Sequence, residues 1–130
     1  MNDILEAKLT EAMTLPLPEA SGSRALGRGA LRPLMDFLAD KTALALGPGL
    51  GTHKETQELI RQLVRQCPLP MVIDADGVNA LDSDPTCLKD AAGPRLLTPH
   101  PGEMARLVES TPKEIQARRL EAAGDRKSVV

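Results

Sequence analysis

Short apolar runs alternate with amphipathic segments along this chain. The runs at residues 43–46, 71–73 and 95–97 are short and are followed by polar residues, a pattern typical of buried parallel strands. Apolar spacing predicts two helical faces, formed by Leu31, Leu34, Met35 and Leu38, and by Leu59, Ile60, Leu63, Val64 and Cys67. Strands alternating with helices predict an α/β fold with a parallel sheet and right-handed crossovers.

Capping patterns predict where the helices begin. Residues 52–55 match a capping box with Thr52 at the N-cap, and residues 111–114 repeat the pattern. The helix that follows the second box is predicted to run to about Ala123, where Gly124 ends it. Pro101 suits the first position of a further helix, because its missing N–H would be unpaired there.

The outer segments and one inner segment carry weaker patterns. A helix is predicted over residues 3–14 behind an Asn2 or Asp3 cap, and residues 19–29 are predicted to form a mobile loop. A short helix is expected from Val78 to Leu81, with Asp76 as its N-cap. The final two valines are typical of the start of another strand.

Composition excludes several classes of function. The chain has 130 residues, a net charge of −2 and a single aromatic residue, Phe37. It has no basic stripe and no stacking platform, which argues against nucleic-acid binding. It contains no apolar run that could span a membrane, and no signal peptide is expected because residues 1–6 lack a basic leader and a long apolar stretch. Cys67 and Cys87 lack metal-ligand spacing and are expected to be reduced, so we expect a cytoplasmic protein.

Polar corners follow all three predicted strands, at residues 47–51, 74–79 and 98–106. Ligands of open α/β sheets bind outside the carboxyl ends of the strands, so the three corners predict one site built from several loops.

Each corner also has a structural alternative. The glycines of residues 47–51 allow positive φ and close backbone approach to a ligand, yet the loop has neither dinucleotide-binding spacing nor a Walker lysine, and a tight turn explains it equally well. Asp74 is the better functional candidate of its corner, because Asp76 can serve as a cap. His100 can contact a ligand or lie in a surface turn, Glu103 can cap its helix, and His53 is expected to be solvated.

Together the corners resemble a known family. Residues 46–51, 74–81 and 97–107, with support from residues 11–18, are similar to the ADP-dependent NAD(P)H-hydrate dehydratases. The resemblance implies an α/β fold of ribokinase-like type, with a parallel sheet in three layers. It implies that ADP, or ATP in eukaryotic members, drives loss of water from hydrated NADH or NADPH with Mg²⁺ assisting.

The resemblance also assigns residues to roles. The residues expected to bind substrate are Gly49, Gly51, His100, Pro101, Gly102, Glu103, Met104, Ala105 and Arg106, and those expected to support the site are Asp74, Asp76 and Asn79. No metal ligand is expected, and the acidic catalytic residue is expected beyond Val130. Residues 1–130 are therefore expected to be the central part of one catalytic domain, without its N-terminal strands and C-terminal nucleotide-binding part, and to be inactive alone.

Two alternatives stay open. The chain can belong to a ribokinase-like enzyme that phosphorylates a small hydroxylated compound, because one fold hosts many functions. It can instead be a non-catalytic piece that binds a nucleotide or forms a homo-oligomer through exposed sheet edges.

Overall fold

Strands and helices alternate through the described part of the chain. The computed structural model describes residues 11–117 together with residues 4, 7 and 8. The elements in order are a 3₁₀ turn (Arg28–Ala30), α1 (Leu31–Leu38), β1 (Leu44–Leu46), α2 (Lys54–Gln66), β2 (Met71–Ile73), α3 (Asp76–Asn79), a second 3₁₀ turn (Pro85–Leu88), β3 (Arg95–Leu97), α4 (Pro101–Leu107) and α5 (Pro112–Ala117).

The three strands form one parallel sheet in the order β1-β2-β3. They pair in register from their first residue to their last. Two backbone hydrogen bonds extend the pairing beyond the strands, from the Asp74 N–H to the Leu46 carbonyl at 3.0 Å and from the Thr98 N–H to the Ile73 carbonyl at 3.1 Å. The segments that leave the three strands therefore start side by side at one edge of the sheet.

The sheet buries one of its two faces. Met71 and Ile73 are 2% and 0% exposed, whereas Val72 between them is 40% exposed and Leu96 beside it is 46% exposed. Residues of α1 and α2 share the core cluster of the buried face. The α/β class with a parallel sheet is confirmed, and the described residues supply the sheet and one helical layer, as a partial three-layer domain does.

Helix α2 contributes the predicted apolar face to the core, but it begins one residue later than the capping pattern predicted. Its N-cap is His53, whose Nδ1 accepts the N–H of Glu55 at 3.3 Å, so the assignment of Thr52 as N-cap is wrong. The expected solvated role of His53 is also wrong, because its side chain is half-buried in this cap. The Glu55 carboxylate does not reach back to the cap and accepts the Arg28 N–H at 3.2 Å.

Residues 19–29 form a hydrogen-bonded hairpin, where a mobile loop was predicted. Glu19 pairs with Leu26 in an antiparallel bridge, and the Ala20 N–H donates to the Ala25 carbonyl at 2.8 Å. The fully buried Thr56 of α2 donates its hydroxyl to the Leu26 carbonyl at 2.8 Å. One of the small residues that indicated mobility, Gly27, instead lets the two arms of the hairpin approach, because an added Cβ would lie 2.8 Å from the Glu19 carbonyl oxygen.

One charged side chain lies inside the fold. Arg95, the first residue of β3, is 5% exposed. Its guanidinium donates to the carbonyls of Val64 at 2.7 Å, Leu69 at 2.9 Å and Cys67, all at or beyond the last turn of α2. Burial lowers the pKa of Arg95, although the guanidinium stays charged at neutral pH because its ordinary value is so high.

Predictions for the two ends of the chain fall partly outside the described residues. Ile4, Ala7 and Lys8 are helical, whereas residues 11–14 are not, so the helix predicted over 3–14 is wrong at its C-terminal end. The predicted helix end at Ala123 and the predicted final strand lie outside the described residues. The capping box at residues 111–114 is confirmed, since the Thr111 hydroxyl accepts the Glu114 N–H at 3.3 Å and the Glu114 carboxylate accepts the Thr111 N–H at 3.0 Å.

Within the described part of the chain, no helix has the length and apolar character that crossing a bilayer requires.

Candidate functional site

The three polar corners meet at the carboxyl ends of the strands. We call this region the polar edge; it consists of residues 47–51, 74–82 and 98–106. Its first two corners touch through their backbones, because a Cβ atom added to Gly47 would lie 1.7 Å from the Asp74 carbonyl oxygen. Gly77 is also packed against the first corner, because a Cβ added to it would lie 2.9 Å from the Leu46 carbonyl oxygen. These two glycines therefore hold the corners together and are part of the scaffold.

The other two glycines of the first corner border open space. Gly49 and Gly51 have φ values of 78° and 74°, and no heavy atom lies within 4 Å of a Cβ added to either. Positive φ at both positions favours glycine, because a side chain clashes with the backbone there. The Gly51 N–H donates to Asp76 Oδ2 at 2.8 Å, which ties this corner to the second one. The Gly49 backbone thus borders open space, whereas the Gly51 N–H is already paired with Asp76.

The second corner differs from its predicted form. Helix α3 begins at Asp76, and its N-cap is Ala75, with φ 47° and ψ −119° and no side-chain cap. The predicted short helix is therefore present, but it begins at Asp76 and ends at Asn79 rather than running from Val78 to Leu81. The predicted capping role of Asp76 is wrong, because its carboxylate accepts the Gly51 N–H instead. A non-glycine residue at positive φ stores backbone strain of about 1–3 kcal/mol, and such strain clusters at functional sites. Asp74 lies half-buried at the end of β2.

The third corner is organised by a capping box between His100 and Glu103. The His100 Nδ1 accepts the N–H groups of Gly102 at 3.0 Å and Glu103 at 3.4 Å, while Glu103 Oε2 accepts the His100 N–H at 2.9 Å. An accepting Nδ1 places the proton of the neutral imidazole on Nε2. That nitrogen lies 3.2 Å from Glu103 Oε1 in a side chain that is 63% exposed. The capping role predicted for Glu103 is confirmed, and His100 shares it.

We expect His100→Ala to destabilise the chain by about 1 kcal/mol, because the cap of α4 is lost. His100→Asn should stay within a few tenths of a kcal/mol of the original, because asparagine also accepts the N–H groups at an N-cap. Urea unfolding measures both. Equal losses in the two variants would contradict a capping role.

The remaining residues of the third corner divide between the surface and the interior. A Cβ added to Gly102 would lie 2.9 Å from His100 Cε1, so a side chain there would displace the imidazole from its capping position. Met104 and Ala105 are 7% and 3% exposed and pack with Ile115 of α5. Of the residues expected to bind substrate, these two therefore face the interior, whereas Pro101 is partly exposed at the first position of α4.

Arg106 joins the third corner to the second. Its Nε donates to Asp82 Oδ2 at 2.9 Å, and its Nη2 donates to Asn79 Oδ1. Asp82 was not predicted to take part in the site. No local pattern indicated it, because α3 ends at Asn79 and the contact joins residues 24 apart in the chain.

The polar edge offers donors and acceptors but no complete metal site. The exposed imidazole of His100 and the Gly49 backbone can bind ligand oxygens, and the carboxylates of Asp74 and Asp76 can accept from hydroxyls. No group of three potential metal ligands occurs in the part of the chain that the structure describes. The arrangement therefore suits recognition of a polar organic ligand.

Comparison of the sequence with known proteins identifies the family of the chain. A family model described as NAD(P)H-hydrate dehydratase matches residues 3–128. The bifunctional NAD(P)H-hydrate repair enzyme Nnr of Moorella thermoacetica is 48% identical over 92% of this chain and 22% of its own length. The proteins of the same name from Salinibacter ruber and Gloeobacter violaceus are both 40% identical, over 80% and 81% of this chain and 19% of their own length. The chain spans about a fifth of the length of these relatives. Since the matching residues include all three corners of the polar edge, the chain belongs to the NAD(P)H-hydrate dehydratase family.

Proposed function

We propose that this chain serves the repair of nicotinamide nucleotides, by dehydration of hydrated NADH or NADPH in a lyase reaction driven by ADP or ATP. The observation that carries the proposal is the assembly of the three family motifs into one polar edge, with the Gly51–Asp76 hydrogen bond joining two of them at 2.8 Å. The names of the relatives support the substrate class.

Within this proposal the polar edge forms part of the substrate pocket. The backbone of Gly49 and Gly51 forms one wall and the N-terminal turn of α4 the other, with Asp74, Asp76 and Asn79 between them. The capping box holds the exposed imidazole of His100 in the Nε2–H tautomer beside Glu103 Oε1, where that N–H can also donate to an oxygen of the ligand. We expect the acidic residue that acts on the substrate to lie beyond Val130.

The described residues contain no group of three potential metal ligands. Mg²⁺ needs only one or two carboxylates when phosphates complete its coordination, and Asp74 and Asp76 are carboxylates of the polar edge that would suit this role. Both cysteines are free and buried, which agrees with a reducing compartment, and we expect a cytoplasmic protein.

Titration of the chain with hydrated NADPH, followed by amide NMR, tests the proposal. We expect saturable shifts at Gly49, Gly51 and Gly102, and no restored reduced nicotinamide when ADP and Mg²⁺ are added. Two controls accompany this titration. The first is unhydrated NADPH, and the second is ATP together with a panel of small hydroxylated compounds. Phosphate transfer to one of those compounds, or shifts confined to residues outside the polar edge, would contradict the proposal.

A further inference from the structure

We infer that Arg106 is a positioning residue. Together with Asp82 it determines where the N-terminal turn of α4, which begins after His100, lies relative to residues 47–51. The inference deepens the proposed function, and only its ligand-binding measurement rests on that function. It departs from the expectation that Arg106 binds substrate directly.

Two nitrogens of the Arg106 guanidinium donate to protein oxygens, in a side chain that is 51% exposed. Its Nε donates to Asp82 Oδ2 at 2.9 Å and its Nη2 donates to Asn79 Oδ1. Both oxygens belong to the segment that follows β2, whereas Arg106 lies in the last turn of α4. The side chain therefore links two corners through a pair of directed contacts, which is the geometry that a planar guanidinium provides.

Asp82 depends on this contact for its charge balance. Its side chain is 26% exposed, but the Oδ1 atom is buried and has no hydrogen-bond partner among the described residues. A half-buried carboxylate with one unpaired oxygen is costly unless a cation lies beside it. Loss of Arg106 would leave this carboxylate uncompensated, so the two residues should act as one coupled unit.

The contact controls the direction of α4. The helix has seven residues, from Pro101 to Leu107, so its two turns move together. β3 fixes where it starts, and Arg106 fixes its far end against the second corner. The same corner holds the glycine loop through the Gly51–Asp76 hydrogen bond. The segment after β2 therefore sets the distance between the glycine loop and helix α4 at the polar edge.

A measurement without ligand tests the positioning role. The variants are Arg106→Met, Asp82→Ala and the double variant, with Arg32→Met on the exposed side of α1 as the matched control. We expect both single variants to shift the amide resonances of Gly102 and Glu103, the double variant to shift them no further, and the control to leave them in place. Asp82→Asn keeps the side-chain volume and is measured as well, in case Asp82→Ala unfolds. Unmoved resonances in the Asp82 variants, or fully additive shifts in the double variant, would overturn the inference.

A binding measurement separates positioning from direct contact. We expect Arg106→Met and Asp82→Ala each to weaken the binding of hydrated NADPH about tenfold, and Arg106→Lys to restore part of the loss. A loss in Arg106→Met without a loss in Asp82→Ala would assign Arg106 to the ligand and overturn the inference. If the original chain does not bind hydrated NADPH, the proposed function fails, and the measurement without ligand still decides the positioning role.

Discussion

Replacing Arg95 with methionine should cost about 3–5 kcal/mol of the free energy of unfolding. The carbonyls of Val64, Cys67 and Leu69 would lose their donor in the interior of the protein. Each buried polar group left unpaired costs about 1–3 kcal/mol, and methionine fills most of the space without donating a hydrogen bond. The positive charge also lies at the carboxyl end of α2, where the helix dipole favours a cation. Urea unfolding followed by circular dichroism measures the loss.

The control for this substitution is Arg32→Met, at an exposed position of α1. It removes the same side chain where water can solvate every neighbour, so the free energy of unfolding should change by no more than about 0.5 kcal/mol. Arg95→Lys should fall between the two, because lysine keeps the charge but cannot donate in the same planar fork. A loss in Arg95→Met as small as that in Arg32→Met would show that the three carbonyls find other partners.

Replacing Gly47 with alanine should have the second large effect, a loss of about 3 kcal/mol or more. The new Cβ would lie 1.7 Å from the Asp74 carbonyl oxygen, at a residue whose φ is 144°. Neither atom can move away by a side-chain rotation. The position of the Cβ is fixed by the backbone of residue 47, and the carbonyl oxygen of Asp74 is itself part of the backbone at the end of β2. The ends of β1 and β2 must therefore separate, and overpacking in such a place is costly.

Gly49→Ala is the matched comparison for that substitution. It adds the same methyl group at positive φ in the same corner, but no heavy atom lies within 4 Å of the new Cβ. Only the conformational cost remains, about 1–2 kcal/mol. Urea unfolding gives the two free energies, and the Gly51 amide resonance reports whether the corner has moved. Similar losses in both variants would mean that φ alone, and not the contact with Asp74, requires glycine at position 47.

Local patterns predicted the repeating parts of the fold well. The three strands, the apolar face of α2, the proline at the start of α4 and the capping box at residues 111–114 are all present. Each depends on neighbours within about four residues, which is the range that a periodic or capping pattern describes.

Errors occurred where a side chain had a second partner far along the chain. Asp76 was predicted to cap α3, but its carboxylate accepts from Gly51, 25 residues away. Glu55 was predicted to complete a capping box, but it accepts from Arg28, 27 residues away. The hairpin at residues 19–29 depends on the buried hydroxyl of Thr56, 30 residues from its partner Leu26. Local patterns contain no information about such partners.

The sequence by itself determined the alternation of strands and helices, the three polar corners and the family to which their residues point. Only the tertiary structure decided how those corners are held together. Register brings the strand ends to one edge, Gly47 and Gly77 let two corners touch, and Arg106 links the third corner to Asn79 and Asp82. The physical reason is that hydrogen bonds and steric contacts depend on distances in space, and these are fixed only when the sheet and its helices pack together.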